Sequence, residues 1–119
     1  MTISVLAISF DAHDAAQLAQ FWAQALHRSV NEGATKDFAA IAADADSGLG
    51  VVLMFHKVPE GKTVKNRVHF DLKAADVLAE ADRLTALGAQ QTRSLVENNN
   101  RWISFLDPEG NEFDRVASR

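Results

Sequence analysis

What most limits the folds open to this chain is that its order of elements occurs twice. Ala7 lies seven residues ahead of Asp14, and His69 lies seven ahead of Asp76. Each aspartate is a residue type that caps a helix, because its carboxylate accepts a hydrogen bond from a free N–H of the first turn. β-prone residues precede both caps, and an apolar stripe at helical spacing follows both. With an offset of 62 the predicted helices end at Leu26 and Leu87, one residue out of step. A period of about half the chain implies two structural copies of one unit. The copies share order and spacing, not sequence identity. Each reads as strand, helix and three strands, so the fold class is α+β. The 119 residues make one domain, with module one at about residues 1–60 and module two at about 61–119.

In the first copy, residues 3–10 are β-prone, with Val5 and Ala7 on one face and Leu6, Ile8 and Phe10 on the other. A strand apolar on both faces is expected to be covered on both. Asp14 and Gln17 then form a capping-box pair. Leu18, Phe21, Trp22, Ala25 and Leu26 follow at offsets 0, 3, 4, 7 and 8, a continuous stripe along one helix face. Short β-like segments come next at about residues 28–31, 38–42 and 49–56, punctuated by Gly33, Ser47, Gly48 and Gly50. The alanine-rich stretch 39–45 has helix propensity, but Asp44, Asp46 and Gly48 follow as turn formers, and its first half reads as strand.

In the second copy, the loop Val58-Pro59-Glu60-Gly61-Lys62 leads to residues 67–72, where Val68, Phe70 and Leu72 alternate with Arg67, His69 and Asp71. A helix from about Asp76 presents Val77, Leu78, Ala81, Leu84 and Leu87 on its apolar side and stops at Gly88. Strands are expected at about 89–95, 102–106 and 112–117. Asn98-Asn99-Asn100 and Asp107-Pro108-Glu109-Gly110-Asn111 are the two hairpin turns.

Composition removes several function classes. No apolar run approaches the roughly 18 residues that span a bilayer, and Met1-Thr2-Ile3-Ser4 reads as a first strand instead of a signal peptide. The chain has no cysteine, which excludes disulfides, thiolate metal sites and a cysteine nucleophile, and which fits the cytoplasm. A net charge of −4 argues against nucleic-acid binding, which needs a concentrated basic face. Lys57, Lys62, Lys65 and Arg67 are spread over eleven positions and read as a solvated loop. The six glycines never assemble into a phosphate-cradling run, and no serine has a nucleophile-elbow context.

Three segments resemble signatures of the vicinal oxygen chelate superfamily, in its glyoxalase-like branch. They are Phe21-Trp22-Ala23-Gln24-Ala25-Leu26, then Val58-Pro59-Glu60 through Lys65-Asn66-Arg67-Val68-His69-Phe70-Asp71-Leu72, and Asp107-Pro108-Glu109-Gly110-Asn111-Glu112-Phe113. The resemblance implies two βαβββ modules forming a partly open eight-stranded barrel-like sheet around a cavity. It implies a homodimer as well, with modules paired within or between chains. In metal-dependent members a divalent cation is held by side chains on the first and last strands of each module, where it chelates substrate oxygens as a Lewis acid. Carried over residue by residue, His69 and Asp114 fall on two of four ligand positions. The other two fall on Ala7 and near Leu53, Met54 and Phe55, which cannot bind a hard cation.

Each candidate has a functional and a structural reading. His69 is a metal ligand, a general base or a hydrogen-bond donor to a ligand; alternatively it is a histidine held by a carboxylate such as Asp114. A His–carboxylate pair also suits acid–base work. Asp114 is its companion, or a surface carboxylate paired with Arg115 or Arg67. Trp102 alternates with Ser104 and lines a pocket wall or a subunit interface. Trp22 belongs to the core stripe, while His13, His27 and His56 belong to the surface or a rim. The leading reading is a small-molecule binding protein with Arg67, His69, Trp102 and Asp114 in its pocket. The rival is a metal-dependent lyase, isomerase or dioxygenase using His69 and Asp114.

Overall fold

Both helices begin where their aspartates place them. Asp14 accepts a hydrogen bond from the N–H of Gln17 (3.1 Å) and opens α1 (Ala15–Ala25), and Asp76 accepts one from Ala79 (3.0 Å) and opens α2 (Val77–Leu87). Both also end alike. The N–H of Arg28 returns to the carbonyl of Ala23, and that of Ala89 to Leu84, while His27 and Gly88 between them take positive φ of 56° and 125°. This is the Schellman closure, which satisfies carbonyls that a helix end leaves unpaired. The structure, a computed structural model, describes residues 2–44, 50–98 and 100–117. The chain divides into two compact units, residues 1–61 and 62–119.

In the first unit β1 (Ala7–Ala12), β2 (Phe38–Ile41) and β3 (Val52–Lys57) form a sheet of order β1-β3-β2. β1 runs parallel to β3, and β2 runs antiparallel to it. The stripe of α1 covers one face of this sheet. Leu18, Trp22, Ile41, Leu53 and Phe55 are fully buried, and the ring of Phe10 meets Phe55 at 5.0 Å and Trp22 at 5.6 Å.

In the second unit β4 (Phe70–Ala74), β5 (Gln90–Glu97), β6 (Asn100–Leu106) and β7 (Glu112–Ala117) form a sheet of order β4-β7-β6-β5. Again the first strand is parallel to the last. Phe105 and Phe113 stack at 5.1 Å under α2. Arg115 also lies on that side, where its buried guanidinium bonds Glu80 of α2 at 3.0 Å. Burial pulls the Arg115 pKa below its ordinary value, against the attraction of Glu80. The β6–β7 turn is built on the buried carboxylate of Asp107, which accepts from the N–H groups of Glu109 and Asn111, while Gly110 supplies a φ of +89°.

Among the described residues seven strands stand where the sequence predicts eight, in two sheets, and no ladder joins those sheets into a closed barrel. The missing strand is residues 28–31. Arg28 gives its N–H to the helix closure, so only a single bridge, Val30 with Ile41, remains. β1 is displaced as well, from the expected 3–10 to Ala7–Ala12. Its ladder starts at Ala7 opposite Val52, the first residue of β3, and Ile3, Val5 and Leu6 ahead of it are exposed instead of covered. Likewise β4 starts at Phe70, leaving Arg67 to His69 outside the ladder. The turn expected around Ser47 and Gly48 lies outside the described residues. No helix among the described residues is long and apolar enough to cross a membrane.

Candidate functional site

Alternation along paired strands sorts every side chain of the second sheet to one of two faces. The face under α2 takes Phe105, Phe113, Ile103 and Arg115. The other face, which α2 leaves bare, takes a row of polar residues in register across all four strands: Asp71 of β4 beside Asp114 of β7, Asp114 beside Ser104 of β6, and Ser104 beside Arg93 of β5. One step along the strands, Leu95 sits beside Trp102. Arg93, Leu95, Trp102, Ser104 and Asp114 line an open recess of about 170 Å³.

At one end of the row His69, Asp71 and Asp114 converge. Each offers one ligand atom, and these atoms lie within 4.8 Å of one another. His69 Nδ1 is 3.0 Å from Asp71 Oδ1, and both side chains reach solvent. When Nδ1–H donates to Asp71, the imidazole is held in one orientation and Nε2 is its free nitrogen. The carboxylate of Asp114 makes no hydrogen bond or ion pair among the described residues. It stands directly beside Asp71, and like charges on adjacent strands repel. Such a pair gains from any positive charge placed between its members.

The approach to His69 is fixed by the start of β7. Asn66 donates its backbone N–H to Glu112 (3.1 Å) and its amide to Asn111 Oδ1 (3.0 Å), and Lys62 pairs with Glu112 at 3.2 Å. These contacts give the Lys65-Asn66-Arg67 segment a structural role, since it delivers the chain to β4 with His69 beside Asp71. Partial burial would raise the Glu112 pKa, but hydrogen bonds from the Asn66 N–H and its own N–H, together with the Lys62 ammonium, hold it below the ordinary glutamate value.

The structure thus brings His69 and Asp114 together, and it sets Trp102 with Asp114 on the wall of the recess. Arg67 is exposed in the segment before β4 and is not part of that wall, because alternation no longer governs residues outside the ladder. Arg115 does not pair with Asp114, since it points to the opposite face. Two residues of the site do not stand out in the sequence. Asp71 is visible there only as a neighbour of His69 on one strand face, and it joins the ligand cluster. Arg93 reaches the bare face through a bulge. Gln91 pairs with Phe105, Thr92 is extra, and Arg93 pairs with Ser104. No periodicity signals that slip.

The corresponding positions of the first unit follow from its own register. Ser9 pairs with Met54 as Asp71 pairs with Asp114, and Ala7 stands where His69 does. In that unit those positions offer one hydroxyl and no charged ligand, while Asp11 and His56 pair one step further along the same face. His56 and Phe38 share its helix-free face, with rings 5.1 Å apart.

A family model of the glyoxalase-like domain matches residues 7–116. The chain belongs to the glyoxalase-like domain family. Solved structures share its fold at low identity. The genomically encoded fosfomycin resistance protein FosX from Listeria monocytogenes has a TM-score of 0.75 at 15% identity, covering 100% of this chain and 96% of that one. A glyoxalase/bleomycin resistance protein/dioxygenase family enzyme from Burkholderia phytofirmans has a TM-score of 0.72 at 15% identity, covering 93% and 95%. Lactoylglutathione lyase from Agrobacterium tumefaciens gives 0.64 at 13% identity, covering 99% and 96%. No curated protein sequence matches this glyoxalase-like chain.

Proposed function

We propose that this glyoxalase-like domain binds a compact organic molecule on the helix-free face of its second sheet. The observation that carries the reading is the recess itself. In it Arg93 and Asp114, neither bonded to a protein group among the described residues, stand beside the apolar wall of Leu95 and Trp102. A few convergent polar groups against an apolar wall are the usual make-up of a ligand site. Its volume of about 170 Å³ is close to that of a cavity of roughly 150 Å³ that takes up a benzene-sized molecule, so the bound group is small. His69 and Asp114 supply polar contacts, and Trp102 supplies a flat surface. The neighbours named for fosfomycin resistance and for lactoylglutathione lyase act on small molecules by those names, which agrees with the reading. A thermal-shift screen of small metabolites tests it: at least one compound should raise the melting temperature, and Trp102→Ala should remove that rise. A broad screen without any stabilising compound would sink the reading.

A second reading is favoured by the His69–Asp71–Asp114 cluster: the same face holds a divalent cation and runs lyase, isomerase or dioxygenase chemistry. The donor set fits. One imidazole and two carboxylates suit a first-row transition metal and leave coordination positions open. Metal–ligand bonds of about 2.1 Å put ligand atoms no more than about 4.2 Å apart, so the present spacing closes with small side-chain rotations. A cation held there would polarise adjacent substrate oxygens. His69 would ligate through the nitrogen that faces Asp71; with no cation there, Asp71 would hold Nδ1–H and Nε2 would move the proton. Protein purified without chelator should carry a stoichiometric transition metal, lost on His69→Ala. Metal-free protein that Mn²⁺ and Zn²⁺ fail to stabilise would remove this reading and leave the first. The proposal also includes a homodimer, checked by light scattering, and a cytoplasmic location, in keeping with the cysteine-free sequence.

A further inference from the structure

We infer that Arg93 decides which ligands this recess takes, and that it selects a compact monoanion: a carboxylate on a flat or apolar body. The inference rests on the small-molecule reading above and adds the chemistry of the ligand.

The first support is the bulge. Phe105 and Ile103 are buried under α2, and Ser104 between them faces the recess. With the register set by Gln91 opposite Phe105 and no extra residue, Thr92 would face Ser104 and Arg93 would face Ile103, in the core. The extra residue moves the guanidinium to the bare face instead. Bulges re-aim side chains in this way beside functional sites. The second support is that the described residues give the arginine no partner. Its guanidinium makes no hydrogen bond or ion pair among the described residues, whereas Arg83 and Arg115 both bond Glu80, and Arg101 bonds Ser94.

The third support is the polarity of the row. Asp71 and Asp114 lie at one end and Arg93 at the other. The Cα positions of Asp114 and Arg93 are two strand spacings apart, about 10 Å. An anion entering the recess is pushed from the aspartates and drawn to the arginine, so both ends give the same orientation. A planar guanidinium matches a carboxylate through two parallel hydrogen bonds. Trp102 and Leu95, one step along the strands, then receive the apolar body.

The test uses benzoate and the neutral isostere benzamide in low-salt buffer, followed by NMR through the indole N–H of Trp102, which is 39% exposed while Trp22 is 1% exposed. Benzoate should bind at least tenfold more tightly than benzamide. Arg93→Gln should bring the two to equality, and Arg93→Lys should restore part of the preference. Equal binding of both probes, unchanged in Arg93→Gln, overturns the anion selectivity, leaves the recess reading intact and reduces the bulge to protection of an edge strand. Benzoate that keeps its affinity in Arg93→Gln but loses it with EDTA also overturns the inference, since a cation would then hold it. If neither probe moves the Trp102 signal, the inference is overturned, while the recess reading is decided by the broad thermal-shift screen.

Discussion

Glu112 stands at the joint between the loop that delivers His69 and the strand that carries Asp114. Its carboxylate takes a backbone N–H from Asn66 and an ammonium from Lys62, and these contacts hold its pKa below the ordinary value. A carboxyl whose folded pKa is depressed stabilises the native state above its unfolded pKa, near 4.5, and loses that contribution as pH falls through the folded value. Urea unfolding should therefore show part of the acid limb below about pH 4.5 arising here. Glu112→Gln should flatten that limb and lower stability at pH 7. An unchanged acid limb in the variant would show that the carboxylate is not coupled to folding. At the same scale, His69 and Asp114 are legible from the signatures that surround them. Asp71 is visible as a face-mate of His69, but its place beside Asp114 depends on the β4–β7 register, which exists only once the strands pair. Arg93 is hidden for a sharper reason. Alternation assumes an unbroken ladder, and the extra residue at Thr92 inverts every assignment on one side of it.

At the scale of elements, the two helices are the easiest to read because a cap and an apolar stripe are local signals. The strands are harder, since each begins and ends where its partner permits. β1 starts at Ala7 because β3 starts at Val52, and residues 28–31 lose their ladder to the closure of α1. That closure also carries a difference between the copies. The left-handed position is glycine in the second helix and His27 in the first, at φ +56°. A residue with a Cβ costs about 1 kcal/mol or more there, partly offset by the freedom that glycine gains in the unfolded chain. His27 is exposed, so little packing is lost on replacing it. His27→Gly should stabilise the protein by about 0.5 kcal/mol, a rise of about 3 °C in Tm. A fall in Tm on calorimetry would mean that the imidazole makes a contribution larger than the backbone strain.

For the whole molecule, the two units are alike in architecture and unequal in chemistry. Each pairs its first strand in parallel with its last and covers one face of its sheet with its own helix. The bare face of the second unit carries His69, Asp71 and Asp114, while the equivalent positions of the first carry Ala7, Ser9 and Met54. Among the described residues, only the second unit brings three candidate ligands together, so the expected cation site lies within it. Titration with Mn²⁺ or Zn²⁺ should saturate at one ion per chain. Asp71→Asn or Asp114→Asn should weaken that binding at least tenfold, since each removes one of three charged or nitrogen ligands. Ser9→Ala and Met54→Leu should leave both stoichiometry and affinity unchanged. Saturation at one ion per two chains would contradict a three-ligand site within one unit. It would point instead to ligands shared between copies, with each chain contributing part of the set. That outcome would also change the meaning of Asp71. Its repulsion with Asp114 would then be relieved by His69 and solvent, and the convergence of the three side chains would serve the fold of β4 and not a metal.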